Sequence, residues 1–418
     1  MIPSPVSEAT IEASTSAVAI VATTSTKACS LPERICNFLI PCSNLLGEGF
    51  VYLGTGAFGA MAVLQRCGLG DIIKYVGLTT AAAATLGILL SNTASERRKR
   101  NFSRRSVVFI TGCDSGLGFN IAQLCHRLGL VVFAACLDPE SEGAHMLQEL
   151  DGGKTGRLTV IPLNITLEEN VLVAHQTLKE YFKLNPSHEL FAFVNNAGVM
   201  CFGEFEWLLD KHIDQQLGVN LLGTMKLTKT FLPLLRAHKS RLINVTSHCS
   251  LQALPGLSVY AASKAALRFW TDALRMEMSP YGVQVVNYIP GSMVMESNIC
   301  ANQQIYSEQM RAAFTQEQLE FYGSYFDEYN AYLKFISGNK PVASFAGNHP
   351  VMRTFADALL DLNAKAMYKC EPWRYQWYHF LFRVTPTCIC DWLVRRFVSM
   401  PMYKSPEERK AIGLGYSL

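Results

Sequence analysis

Val107-Val-Phe-Ile-Thr111-Gly112-Cys-Asp-Ser-Gly116-Leu-Gly118 sets an uninterrupted apolar run against three closely spaced glycines. The run lacks polar alternation, as in a strand buried on both faces. The glycines read as a tight turn, and Leu117–Leu128 as the helix that leaves it. The same rhythm continues downstream. Strands are expected at Val107–Thr111, Val131–Cys136, Leu158–Pro162, Leu190–Asn195, Leu242–Thr246 and Val283–Ile289, with a short seventh near Ala366–Lys369. Helices fit between them at Leu167–Tyr181, through Phe231–Leu235 and at Val259–Met278. Alternation of this kind gives an α/β chain: a doubly wound, mostly parallel sheet with helices on both faces.

Tyr260-Ala-Ala-Ser-Lys264 places a phenol and an ammonium four positions apart, one above the other on a helix face. An ammonium so close is expected to stabilise the phenolate and lower the Tyr260 pKa, which makes a general acid/base. Ser247 ends the β-rich run Arg241-Leu-Ile-Asn-Val-Thr-Ser247, where a strand end aims its hydroxyl at the oxygen that exchanges a proton with Tyr260. His248 beside it does not make a hydrolase, because no nucleophile-elbow Gly-x-Ser-x-Gly surrounds Ser247.

Taken with Asn195-Asn196-Ala197-Gly198, Asn220-Leu-Leu-Gly223 and Pro290-Gly291, these motifs resemble the short-chain dehydrogenase/reductase family over roughly residues 105 to 400. The resemblance implies a Rossmann-type fold and hydride transfer between a CH–OH carbon and a nicotinamide. In that scheme Tyr260 exchanges the proton, Lys264 tunes Tyr260 and holds the ribose, and Ser247 orients the substrate oxygen. Asn220, at the start of a helix, supports a water chain to Lys264. Cofactor contacts are expected from Gly112, Ser115, Gly116, Leu117 and Gly118. Others are expected from Asp138, Asn164, Asn196, Ala197, Gly198, Pro290 and Gly291, together with Tyr260 and Lys264. The glycines admit a pyrophosphate, which the helix start stabilises through its amide dipoles.

Charge near the adenosine ribose separates NAD from NADP. The glycine turn carries Asp114 and no cation, and the second strand ends Ala134-Ala-Cys-Leu-Asp138, also without Lys or Arg. NAD is therefore expected over NADP. The family pattern is broken where Asn164 replaces the usual Asp and where Met295 replaces the usual Thr. No metal ligand set is read.

Net charge +3 with 17% charged residues carries no nucleic-acid signal. The 13 cysteines are scattered, without a Cys-x-x-Cys pair, and read as reduced. Residues 1–45 are expected to be disordered. Residues 46–104 form an anchor region, because Phe50–Gln65 and Val76–Asn92 are uncharged and Glu96-Arg-Arg-Lys-Arg100, Arg104 and Arg105 follow them. Each stretch is marginal against the roughly 20 residues a span needs, so one or two crossings fit. The basic flank puts the catalytic part (residues 105–400) in the cytosol, with residues 401–418 as a tail. The endoplasmic reticulum is the expected membrane, a mitochondrial membrane the alternative.

Gln309–Ile336 is rich in Phe and Tyr, which reads equally as a cap over the substrate or as core. Trp373–Arg383 and Cys390–Phe397 interleave aromatics with Arg, as interfacial segments facing membrane lipids do. The tail is similar to the ends of membrane-associated retinol, hydroxysteroid and D-3-hydroxybutyrate dehydrogenases. A lipophilic alcohol or ketone is therefore the expected substrate. A hydroxybutyrate-type activity, with Arg268 or Arg311 for the carboxylate, is the alternative, and a silent NAD(H)-binding scaffold a third reading. The resemblance also implies a homodimer through the helices that include Tyr260.

Overall fold

In the computed structural model, residues 98–152, 156–345, 349–398 and 400–405 are described. The stretches Phe50–Gln65 and Val76–Asn92 lie outside them. The alternation read from the sequence builds, in order, β1 (Ser106–Thr111), α1 (Gly116–Arg127), β2 (Val131–Cys136), α2 (Glu142–Asp151), β3 (Leu158–Pro162) and α3 (Glu168–Leu184). Next come β4 (Glu189–Asn195), α4 (Asp210–Leu217), α5 (Thr224–Ala237), β5 (Arg241–Val245), α6 (Ser258–Met278) and β6 (Gln284–Ile289). The chain then runs through α7 (Gln303–Ala313), α8 (Gln316–Leu333), α9 (Pro350–Leu360), β7 (Met367–Lys369), α10 (Trp373–Val384) and α11 (Thr387–Val398).

The seven strands lie in the order β3-β2-β1-β4-β5-β6-β7 and every pairing is parallel. Side-chain alternation explains why the strand sequences are mostly apolar. Val108 and Ile110 point into one cluster with Phe119 and Ile121 of α1 and Phe355 of α9. Val107 and Phe109 point into the other, with Leu178 of α3, Phe231 of α5 and Leu274 of α6. Both faces are covered, and the polar side chains the strands do bury are hydrogen-bonded, as where Asn195 donates to Thr228 Oγ1 and Asn244 Oδ1. The order reverses between β1 and β4, where the glycine turn after β1 sits. Such a switch point opens a crevice at the carboxyl ends of the strands.

Three features differ from the sequence reading. Asn220 does not open a helix: α4 runs through the π-helical turn Gly218–Gly223 into α5, and Asn220 lies inside that turn. The helix α2 was not anticipated, although Ser141 caps it by accepting a bond from Ala144 N and Gly152 closes it in a left-handed conformation. The aromatic stretch divides between the two roles it was read for. Tyr325, Phe326 and Tyr329 of α8 surround the buried indole of Trp207, whereas Tyr332 and Phe335 line the central cavity.

The basic run after the apolar stretches also holds protein contacts. Lys99 bonds Asp357 at 2.7 Å and Asp361 at 2.8 Å. The Arg100 guanidinium lies 3.9 Å over the Phe191 ring. Among the described residues no helix is long and apolar enough to cross a membrane. The nine described cysteines are all free thiols.

Candidate active site

The turn after β1 is drawn tight by its glycines. Gly112 has φ +68°, in the left-handed region. The Asn196 amide bonds Thr111 O at 2.9 Å and Gly112 O at 3.0 Å, tying the end of β4 to the turn. A Cβ on Gly118 would stand 2.1 Å from Gly112 O, so only glycine lets α1 start this close to the turn. The first turn of α1 holds no acidic residue and its cap, Ser115, makes no side-chain cap bond. Amides at a helix start, beside a turn that glycines open at Gly112 and Gly116, fit a pyrophosphate. The residues present therefore suit a dinucleotide.

At the edge of this cradle Asp114 accepts from Leu137 N at 3.0 Å and Asp138 N at 2.8 Å, pinning the end of β2. Asp114, Leu137, Asp138 and Glu142 all face the same cavity. Sequence reasoning named Asp138 as the ribose contact; the structure adds Asp114 as the group that fixes its backbone. Asn164 behaves differently. Its carboxamide oxygen accepts from Thr166 N and Oγ1, and it is not part of the cavity wall.

A single cavity of about 1010 Å³ runs from this cradle to the catalytic motif. Gly112, Ser115, Leu117, Asn196, Ala197 and Gly198 line its nucleotide end. Pro290 and Gly291 follow, and Ser247, Tyr260 and Lys264 share the wall beyond them. Gly116, Gly118 and Asn220 stand behind this surface. Ser247 follows the end of β5 in an extended conformation and accepts from Cys249 N at 3.1 Å. Tyr260 and Lys264 lie in the first two turns of α6, both buried.

The electrostatics differ from the sequence expectation. Burial pushes the Tyr260 phenol up, not down, and its bond with Ser247 only partly opposes this. Burial likewise brings Lys264 down to about 8. The Lys264 ammonium sits 5.9 Å from the Tyr260 ring centroid and donates to Val245 O at 3.1 Å. Desolvation is the largest influence on both groups. Asn220 bridges the wall from behind: it accepts from Val199 N at 2.8 Å and donates to Val199 O at 2.9 Å and Ser263 Oγ at 3.1 Å. A Cβ at Gly198 would lie 3.3 Å from both Asn220 Oδ1 and Lys264 Nζ, so the three groups form one junction.

Lys264 predicts a test of this burial. Below about pH 8 it is charged in both folded and unfolded chains, and the folded charge is the costly one. As pH rises from about 8 towards 10.5 the folded chain releases this proton first, and stability improves. Lys264→Met is therefore expected to stabilise the chain at neutral pH, by at most about 3 kcal/mol. The gain should fade towards pH 10.5, while turnover is lost. Thermal unfolding across that range checks both signs.

The far wall comes from the C-terminal helices. Tyr375, His379 and Phe382 of α10 and Phe397 of α11 face the cavity, while Trp373, Trp377 and Trp392 are exposed on the outer side. Burial brings His248, beside Ser247, down to about 4. Arg268 and Arg311 do not line the cavity; Arg311 pairs with Asp327. Arg374 does line it. No sequence signal singled it out within an Arg-rich tail.

A family model described as short chain dehydrogenase matches residues 106–304. The mitochondrial D-beta-hydroxybutyrate dehydrogenase of Mus musculus is 38% identical over 198 residues, covering 47% of this chain and 57% of that protein. Estradiol 17-beta-dehydrogenase 2 of Mus musculus is 32% identical over 293 residues, covering 70% and 74%. Retinol dehydrogenase 7 of Rattus norvegicus is 30% identical over 305 residues, covering 71% and 90%. The chain thus spans little more than half of the first relative and most of the other two.

Proposed function

The chain belongs to the short-chain dehydrogenase family, and from that premise we propose that it is a membrane-anchored, NAD(H)-dependent oxidoreductase interconverting a lipophilic alcohol and its carbonyl. The observation that carries this reading is one cavity with the glycine cradle at one end and Ser247, Tyr260 and Lys264 on the wall beyond it. NAD, when bound, supplies the hydride acceptor. Tyr260 exchanges the proton of the substrate oxygen, and Ser247 holds that oxygen through its hydroxyl. Lys264, held by its bond to Val245 O, provides the positive charge against which the phenol loses its proton.

Hydride transfer leaves the substrate's carbon skeleton unused for chemistry, so the rest of the cavity sets specificity. Leu254, Leu257, Val294, Phe335, Phe382 and Phe397 line it, and apolar walls favour an apolar substrate body. Steroid- and retinol-like alcohols fit this description, in keeping with two of the relatives. The exposed tryptophans of α10 and α11 and the apolar stretches before residue 98 support a membrane location, with the endoplasmic reticulum first. Arg374 at the cavity wall favours the second reading, a hydroxybutyrate-type substrate whose carboxylate it would take. Oxidation of hydroxysteroids, retinol and D-3-hydroxybutyrate by the full chain in liposomes separates the two. Turnover of D-3-hydroxybutyrate alone, lost in Arg374→Ala, would replace the lipophilic reading.

For the cofactor, Asp114, Asp138 and Glu142 line the cavity and would repel the further negative charge of a 2′-phosphate bound near them. NADH is expected to bind at least about tenfold more tightly than NADPH, since one repelled charge amounts to ~1.4 kcal/mol or more. Fluorescence titration with each nucleotide checks this; equal affinities would remove the charge argument.

A further inference from the structure

His248, Glu371 and His379 come from three separate places: the turn after β5, the residues after β7, and α10. Their donor atoms nevertheless lie within 4.8 Å of one another. Glu371 Oε1 is 2.9 Å from His379 Nδ1 and 3.4 Å from His248 Nδ1. Its other oxygen is 3.4 Å from Lys369 Nζ. The three side chains are only 11%, 8% and 11% exposed for His248, Glu371 and His379.

Glu371 is held chiefly by His379 and Lys369, and His248 approaches it more loosely. The His248 ring has both nitrogens buried without a well-formed hydrogen bond, and Nδ1 makes only the 3.4 Å approach to Glu371. A buried nitrogen without a partner is destabilising. A ligand that accepts an imidazole lone pair there removes that cost. Two imidazoles and a carboxylate, held at separations of this order, are a donor set for a tetrahedral Zn²⁺-class ion rather than for Mg²⁺ or Ca²⁺. Lys369 on the distal carboxylate oxygen would orient the ligating one.

We propose that His248, Glu371 and His379 bind a divalent transition metal of the Zn²⁺ class. The ion would clasp α10, and with it the C-terminal wall of the cavity, to the turn that carries Ser247. It needs one water to complete four-coordination. The site stands apart from the oxidoreductase reading, because metal binding is read without turnover.

The test uses the full chain in detergent, stripped with a chelator and then titrated with Zn²⁺, Co²⁺ or Mg²⁺. Calorimetry, Co²⁺ visible absorption and thermal unfolding are the readouts. One saturable equivalent of Zn²⁺ or Co²⁺ is expected, with a raised Tm, and no response to Mg²⁺. Glu371→Gln and His379→Ala should each abolish it, while both variants keep their circular dichroism. The free thiols are the obvious competing ligands, so the titration is repeated after alkylation. Binding that disappears on alkylation, or that survives both substitutions, overturns the site. So does an absence of saturable binding.

Discussion

Tyr260→Phe is expected to lower kcat by about 10²- to 10⁴-fold, the contribution of a positioned general acid/base. NADH affinity and unfolding temperature should change little. The phenol is buried on the cavity wall, so the substitution removes one hydroxyl and leaves the ring packed. Its oxygen is the group in contact with Ser247. Ser247→Ala should produce a smaller loss, because it removes the orientation of the substrate oxygen and leaves the proton donor. Steady-state kinetics on both variants, with nucleotide titration as control, checks the order of the two effects. A Tyr260→Phe enzyme at undiminished rate would place the proton transfer elsewhere.

Gly118→Ala should have the second large effect. Its new Cβ would meet Gly112 O at 2.1 Å and Asn196 Nδ2 at 2.5 Å. Neither neighbour has room to yield: one is backbone in the turn, and the other is held by bonds to Thr111 O and Gly112 O. The expected cost is about 3 kcal/mol, at the upper end for overpacking, with loss of NADH binding as the turn opens. Gly323→Ala is the internal control. It lies inside α8 with nothing within 4 Å of a new Cβ, so it should stabilise by up to about 1 kcal/mol. Urea unfolding of the two variants, with NADH titration of the first, tests the contrast. Equal effects would mean that close approach at the turn has no special weight.

The fold was legible because its signals are local. Val107–Thr111 is apolar on both faces and glycines follow it, and the same contrast marks the other strands. The site was legible for a related reason: Tyr260 and Lys264 sit one helical turn apart, so spacing alone puts them together. Long-range properties were not readable in this way. Arg241 is fully buried, and the carbonyls of Ala358, Leu359 and Asp361, more than 110 residues away in the chain, accept its guanidinium. The acidity of Tyr260 was read in the wrong direction because spacing shows a neighbouring ammonium and not the burial of both groups. Asn220 looked like a helix start because a π turn has no composition of its own. His248, Glu371 and His379 meet across more than 120 residues, which no motif spacing encodes.

The central claim is that hydride leaves the substrate's carbinol carbon at the wall formed by Ser247, Tyr260 and Lys264. Its most direct measurement follows a deuterium. The full chain in liposomes is given NAD and a hydroxysteroid or retinol deuterated at the carbinol carbon, and the nucleotide is recovered for mass analysis. The reduced nucleotide is expected to carry the label, one deuterium for each alcohol oxidised, and Tyr260→Phe to form almost none. Nucleotide that binds but stays oxidised and unlabelled across every alcohol offered, the D-3-hydroxybutyrate analogue included, would contradict it and leave a dinucleotide-binding scaffold.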